Sequence, residues 1–299
     1  MANKRKIDPL TLRILIEMVA MVVIAIVLVV CIANVWAGIG EGGTGETEPP
    51  KTGEQSGTHD TTPEYTEPLD TSPEGIMERF MADNGLTLDN YPQFVVDAYK
   101  TNAYFYGEDF EAGDFYLNYP FLHDITHDID ISDVDRSNGV PLFLQWDERW
   151  GYTEYGVSMC GVGGCGPTSL AMVAYYLTGD TKYTPAYMLQ FAKDNKHVIP
   201  TGGTDWSLFG TGAVDLGFKV EQLPNVEKTV AKRLQAGIPV VVNVKEGTFT
   251  TGGHYMVLVG YEDGKFRIND PNSPIFSSRL WDWSVIEADA KNFWAISNP

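Results

Sequence analysis

Cysteine is scarce in this sequence: its 299 residues hold three, Cys31, Cys160 and Cys165. Three cysteines, one of them inside an apolar run, make neither a disulfide framework nor a four-ligand zinc site. Positive charge is scarce too. Lys and Arg number 21 against 40 Asp and Glu, giving a formal net charge of −19. Nucleic-acid binding needs basic side chains to neutralise phosphates, and a membrane-surface patch needs them clustered, so the balance argues against both. Acidity favours solubility but names no partner. Internal repeats are not apparent, and the length suggests one or two domains.

What is present begins with a charge-free stretch over residues 18–37, preceded by Lys4, Arg5, Lys6 and Arg13. At about 1.5 Å per residue, a helix of that length roughly spans the hydrocarbon core of a bilayer. We expect a cytoplasmic tail and transmembrane anchor over residues 1–37, with the bulk of the chain outside the cell. A cleaved signal peptide is the competing expectation, with Val35-Trp36-Ala37 as a loose cleavage site. Residues 38–73 are Gly, Thr, Glu and Pro with little apolar content, a composition that predicts a disordered linker. Residues 74–135 read as a small helical leader. Ile76, Phe80 and Met81 suggest one amphipathic helix, and Phe94, Val95, Val96, Ala98 and Tyr99 a second. His123 and His127 are four apart among Asp residues, but Pro120 and the Ile-Asp alternation do not suggest a helix that would aim both at one metal. An acidic loop is expected there, and no metal or cofactor is expected anywhere.

The chemistry-bearing stretch lies in the domain expected over residues 136–299. Residues 163–169 read Gly-Gly-Cys-Gly-Pro-Thr-Ser, followed by an almost wholly apolar helix over 170–177. With Pro167 as its first residue, Cys165 stands just ahead of a buried helix's N-terminus, where the dipole favours a thiolate. The flanking glycines, Gly164 among them, let a substrate approach. A thiolate nucleophile needs a base and a group that orients the base. Of the five histidines, His59 lies in the linker, His123 and His127 in the acidic loop, and His197 looks exposed. His254 opens an apolar strand that turns at Glu262-Asp263-Gly264 into a second strand ending at Asp270. A three-residue loop there would pair Tyr261 with Lys265 and Met256 with Asp270. His254 and Asp270 would then share one face as diagonal neighbours, whereas a two-residue turn would separate them. Asp270 before Pro271 is also an ordinary way to end a strand.

Gln145 can supply an oxyanion donor beside the Cys165 N–H, although a Gln before an aromatic cluster says little alone. Asp205 and Trp206 either line the substrate cleft or begin a helix. Cys160, five residues before Cys165, is either a buried spectator or half of a reversible disulfide.

Together, Val140-Pro141, Gln145 through Trp150, Gly164 through Ser169, Gly253-His254-Tyr255 and Asn269-Asp270-Pro271 resemble the papain-like cysteine peptidases, and within them the bacteriocin-processing, double-glycine peptidase-like family. The resemblance implies an α+β papain-like fold, with the nucleophile's helix packed on an antiparallel sheet. It also implies Cys165 as nucleophile, His254 as base, Asp270 as its orienter and Gln145 as oxyanion donor. Two departures stand out. Transporter-linked members usually carry an acidic residue where Gly164 stands, and this chain has no G-x-x-x-x-G-K-[ST] loop of an ATP-driven exporter. The double-glycine leader substrate is therefore not carried over. The expectation is a membrane-anchored, extracytoplasmic cysteine peptidase acting on peptide or protein, with cell-wall material as a further possibility. Its rivals are a silent binding module of the same fold and a transamidase or peptidoglycan amidase.

Overall fold

A computed structural model describes residues 69–299. The expected anchor and nearly all of the expected linker lie outside the described residues. Among the described residues, no helix is long and apolar enough to cross a membrane.

The chain opens with α1 (Pro73–Asn84), which Ser72 caps by accepting from the Gly75 amide at 3.1 Å and Gly85 ends in the left-handed conformation at φ 65°. Met77 and Met81, four apart, form its buried face, while Ile76 points outward, one position off the expected stripe. Then come α2 (Gln93–Tyr106), α3 (Gly113–Leu117) and α4 (Tyr119–Leu122). Val95, Val96 and Tyr99 turn one face of α2 inward. They share a core with Phe115, Tyr116 and Met159, so this helical segment packs on the residues just ahead of Cys165.

A short hairpin, β1 (Glu154–Tyr155) and β2 (Ser158–Met159), leads into α5 (Cys160–Gly163) and α6 (Cys165–Thr178). After α7 (Pro185–Asp194) and α8 (Thr211–Asp215), the chain alternates β3 (Lys219–Leu223), α9 (Glu227–Gln235), β4 (Val240–Val244), β5 (His254–Glu262) and β6 (Lys265–Asn269). It ends with α10 (Pro274–Ser278), β7 (Leu280–Trp281), α11 (Trp283–Asp289) and β8 (Ala290–Ser297). Six strands form one antiparallel sheet in the order β3-β8-β4-β5-β6-β7.

The period of two sorts the side chains between two cores. Val241, Tyr255, Val257, Trp294 and Ile296 share one core with α6 and α7. Val240, Val242, Met256, Leu258, Phe293 and Ala295 share the other with α9 and α11. This is the expected mixture of helices and antiparallel sheet. In α6, residues 165–175 are all buried. Fully buried Leu170, Met172 and Val173 each contribute roughly 1.5–3 kcal/mol, so the helix is anchored along its length.

The hairpin that carries His254 reaches the expected result by another route. Glu262 pairs with Lys265, leaving the two-residue turn Asp263-Gly264 with φ of 53° and 77°. Two successive positive φ values define a type I′ turn, which suits the strand twist and for which Asp-Gly is a favoured pair. That turn alone would bring Val257 opposite Asp270 and leave His254 on the other face. Instead the register shifts between Leu258 and Gly260, with Val259 unpaired, so that Val257 pairs with Asn269. The bulge absorbs the residue that the expected loop would have held. Continued by one residue, the register sets Met256 opposite Asp270.

Candidate active site

Cys165 is the first residue of α6, and Pro167 falls third rather than first. The helix starts early because the turn of α5 feeds it directly, with the Thr168 amide donating to the Gly164 carbonyl at 3.0 Å. Proline is still harmless there, since first-turn amides have no intrahelical acceptor. Cys165 thus sits at the positive end of the helix dipole, 8% exposed and with a free thiol.

His254 Nε2 lies 2.7 Å from Asp270 Oδ1, and both side chains are buried. Asp270 Oδ1 also accepts from the Asn272 amide at 2.8 Å, and the Asp270 amide donates to Ser277 Oγ at 2.8 Å. Burial works to lower the His254 pKa. The Asp270 charge and hydrogen bond, joined by the influence of the Cys165 thiol, outweigh it and raise the imidazole to about 10. The buried carboxylate thus favours the protonated ring.

Gln145 is buried, fixed by its amide to the Pro271 carbonyl at 2.8 Å and by Nε2 to the Gly161 carbonyl at 3.0 Å. One Nε2 hydrogen is thus committed and one is spare. Gln145, Cys165, His254 and Asn272 all line one cleft of about 490 Å³. Its walls also include Gly163, Gly202, Gly203 and the loop of Thr250 to Gly253, together with Phe94, Asp97, Ala98, Thr101 and Asn102 of α2. The structure thus brings Cys165, His254, Asp270 and Gln145 together. The chemistry they can support is acyl transfer through a thiol.

Three expected cleft residues are not among those that line it. Asp205 instead caps the 3-10 turn Trp206–Phe209, accepting from the Ser207 amide at 2.9 Å, and the Ser207 hydroxyl and amide together hold its carboxyl below the usual value. Trp206 belongs to that turn and is exposed, and Gly203 reaches the cleft in their place. Gly164 is packed against Cys160: a Cβ there would lie 2.6 Å from the Cys160 carbonyl oxygen and 2.9 Å from its Cα. Gly164 is thus a close-approach position, and the acidic residue common in transporter-linked relatives has no room here. Gly164→Ala is expected to destabilise the fold by about 1–3 kcal/mol in chemical denaturation. An unchanged midpoint would refute the close approach.

His197, expected at the surface, is buried and bonds Ser207 Oγ through Nδ1 at 2.8 Å. Lys196 at φ 61° reverses the chain and folds the ring back toward Phe191. Burial lowers its pKa. Cys160 is a fully buried free thiol whose Sγ lies 3.9 Å from Thr168 Oγ1, and burial pushes its pKa well up. Sequence reasoning did not single out Asn272, Asn102 or Tyr116. Asn272 had one usable signal, its place just after Asp270-Pro271.

A family model described as the peptidase C39-like family matches residues 137–298, more than half of the chain. The chain belongs to this family. It is a papain-like cysteine peptidase of the bacteriocin-processing type, as the motifs implied. Solved structures similar to this cysteine peptidase include the peptidase domain of Streptococcus ComA, a bi-functional ABC transporter involved in quorum sensing. That match has 23% identity, covers 46% of this chain and 92% of that one, and has a TM-score of 0.36. A C39-like peptidase from Bacillus anthracis matches at 19% identity, over 58% of this chain and 98% of that one, with a TM-score of 0.37. No curated protein matches the sequence.

Proposed function

We propose that this peptidase is anchored in the cell membrane by residues 18–37 and hydrolyses peptide or protein substrates outside the cytoplasm through Cys165, His254 and Asp270. The apolar run and the positive residues before it support the anchor and its orientation. The observation that carries the chemistry is the buried His254–Asp270 pair at 2.7 Å, on a cleft that Cys165, His254 and Gln145 line together.

With the Cys165 proton already held on His254, the thiolate attacks the scissile carbonyl, forming a C–S bond. The oxyanion takes hydrogen bonds from the Cys165 amide and the spare N–H of Gln145. His254 returns the proton to the leaving amine as the C–N bond breaks. Water, deprotonated by His254, then attacks the thioester and releases the carboxylic acid and the free thiol. Asp270 holds the ring with Nε2 engaged and stabilises the imidazolium.

Alkylation of the intact full-length protein with iodoacetamide tests this. Cys165 is expected to react faster than a free model thiol at pH 7, while Cys160, fully buried and with a raised pKa, stays unlabelled by peptide mass mapping. Equal labelling of both, or Cys165 labelling that His254→Ala leaves unchanged, would sink the assignment.

A further inference from the structure

The helices α1 to α4 precede residue 137, where the family match begins, yet α2 supplies one wall of the cleft. Their polar contacts go further. Tyr116 of α3, 1% exposed, donates its hydroxyl to the Gly161 carbonyl at 2.8 Å, the same oxygen that accepts Gln145 Nε2 at 3.0 Å. Asn102 of α2 donates Nδ2 to the Tyr116 oxygen at 3.3 Å, and its Oδ1 accepts from Asn272 Nδ2 at 3.5 Å. Asn272 also donates Nδ2 to the Tyr106 hydroxyl at 3.0 Å, and its amide holds Asp270 at 2.8 Å. A single chain of hydrogen bonds therefore runs from His254 through Asp270, Asn272, Asn102, Tyr116 and the Gly161 carbonyl to Gln145. Its middle members come from outside the family-matched region.

We propose that this helical segment is a working part of the active site, with Tyr116 and Asn102 as positioning residues that fix the Gln145 amide relative to the His254–Asp270 pair. The inference rests on the roles proposed above for those three residues. A carbonyl oxygen has two lone pairs, and Tyr116 and Gln145 together occupy both on Gly161. With that oxygen saturated and held, one Nε2 hydrogen of Gln145 is locked. The other is left with one direction to point. Oxyanion donors work by being in place before charge develops, and small displacements reduce their effect steeply. Removing the Tyr116 hydroxyl frees one lone pair and loosens this seat without emptying the space its ring fills.

The test is a double-mutant cycle in the full-length protein. The probe is p-nitrophenyl acetate, an activated ester whose acylation of a thiol passes through the same kind of oxyanion. Tyr116→Phe is expected to lower the maximal burst rate of nitrophenolate by about 3–10-fold, with little change in half-saturating concentration or unfolding midpoint. In a Gln145→Ala background the same substitution is expected to have no further effect, because the residue it acts through is gone. Equal losses in both backgrounds, or no loss in the first, would overturn the proposal. Should Tyr116→Phe not fold, Asn102→Leu enters the same cycle with the same two outcomes. Cys165→Ala separates this inference from the one beneath it. A burst that survives in that variant removes both, whereas a lost burst with an additive cycle removes only the role of Tyr116 and Asn102.

Discussion

Cys165→Ala is expected to lower peptide hydrolysis by at least about 10⁴-fold while leaving the unfolding midpoint close to wild type. The expectation follows from position. Cys165 is the first residue of a helix buried over residues 165–175, and it shares its cleft with the imidazole that Asp270 holds. No other thiol among the described residues can replace it. Cys160 is fully buried, paired with Thr168, and kept protonated by its surroundings. Removing one sulfur next to the cleft exposes little core, so stability and activity should separate cleanly. Peptide-library cleavage by the full chain, read beside a denaturation curve, makes the measurement. Cys160→Ala is the control and should retain activity. Hydrolysis persisting at more than a few per cent in Cys165→Ala would mean that another group carries the reaction.

Asp270→Asn is expected to give the second-largest effect, about 10²–10⁴-fold in kcat, with a change in the pH profile that identifies its cause. The amide keeps an oxygen that can accept from His254 Nε2 and from the Asn272 amide, but it carries no charge. His254 sits at about 10 because the Asp270 carboxylate and the Cys165 thiol overcome the lowering caused by burial. Without that charge, burial gains ground and the imidazole pKa falls, so the alkaline limb of activity should move down by on the order of 1–3 pH units. The sign for stability follows from the same shift. A histidine whose folded pKa is raised contributes stability that is fully present below its ordinary value of 6.5 and is lost as pH rises through about 10. Wild-type denaturation midpoints should therefore decline over that window, and those of Asp270→Asn should decline less. Asp270→Ala, which leaves a buried imidazole without its partner, should cost about 3–5 kcal/mol and is the poorer probe. An unmoved alkaline limb in Asp270→Asn would refute the electrostatic role.

Local pattern made part of this site readable. An apolar helix behind Gly-Cys-Gly-Pro, and a His opening one apolar strand with an Asp closing the next, are signals whose ends lie at most 16 positions apart. The shared face of His254 and Asp270 was reached through the wrong turn. Val259 and Gly260 look like ordinary strand in the sequence, so the bulge that sets the pairing leaves no trace there, while Asp-Gly supports two loop lengths equally well. His197 reads as exposed among Lys193, Asp194, Asn195 and Lys196, yet a single left-handed residue turns it inward. The bracing by Tyr116 and Asn102 was out of reach for a different reason. Tyr116 and Gly161 are 45 residues apart, and Asn102 and Asn272 are 170 apart. No periodicity encodes such contacts.

The cleft has unequal sides. Cys165 opens a helix with no exposed residue over about three turns, so the amides of the helix interior, from Leu170 to Tyr175, should exchange with solvent water only when the whole protein opens. Elsewhere, Phe249 is buried but the cleft residues Thr251, Gly252 and Gly253 are exposed, immediately ahead of His254. Those amides should exchange by local opening alone, far faster. Accommodation of different side chains in a substrate then falls to the histidine side, as hinge movement of a short glycine strap. The thiol side acts as the fixed stop against which each peptide is registered.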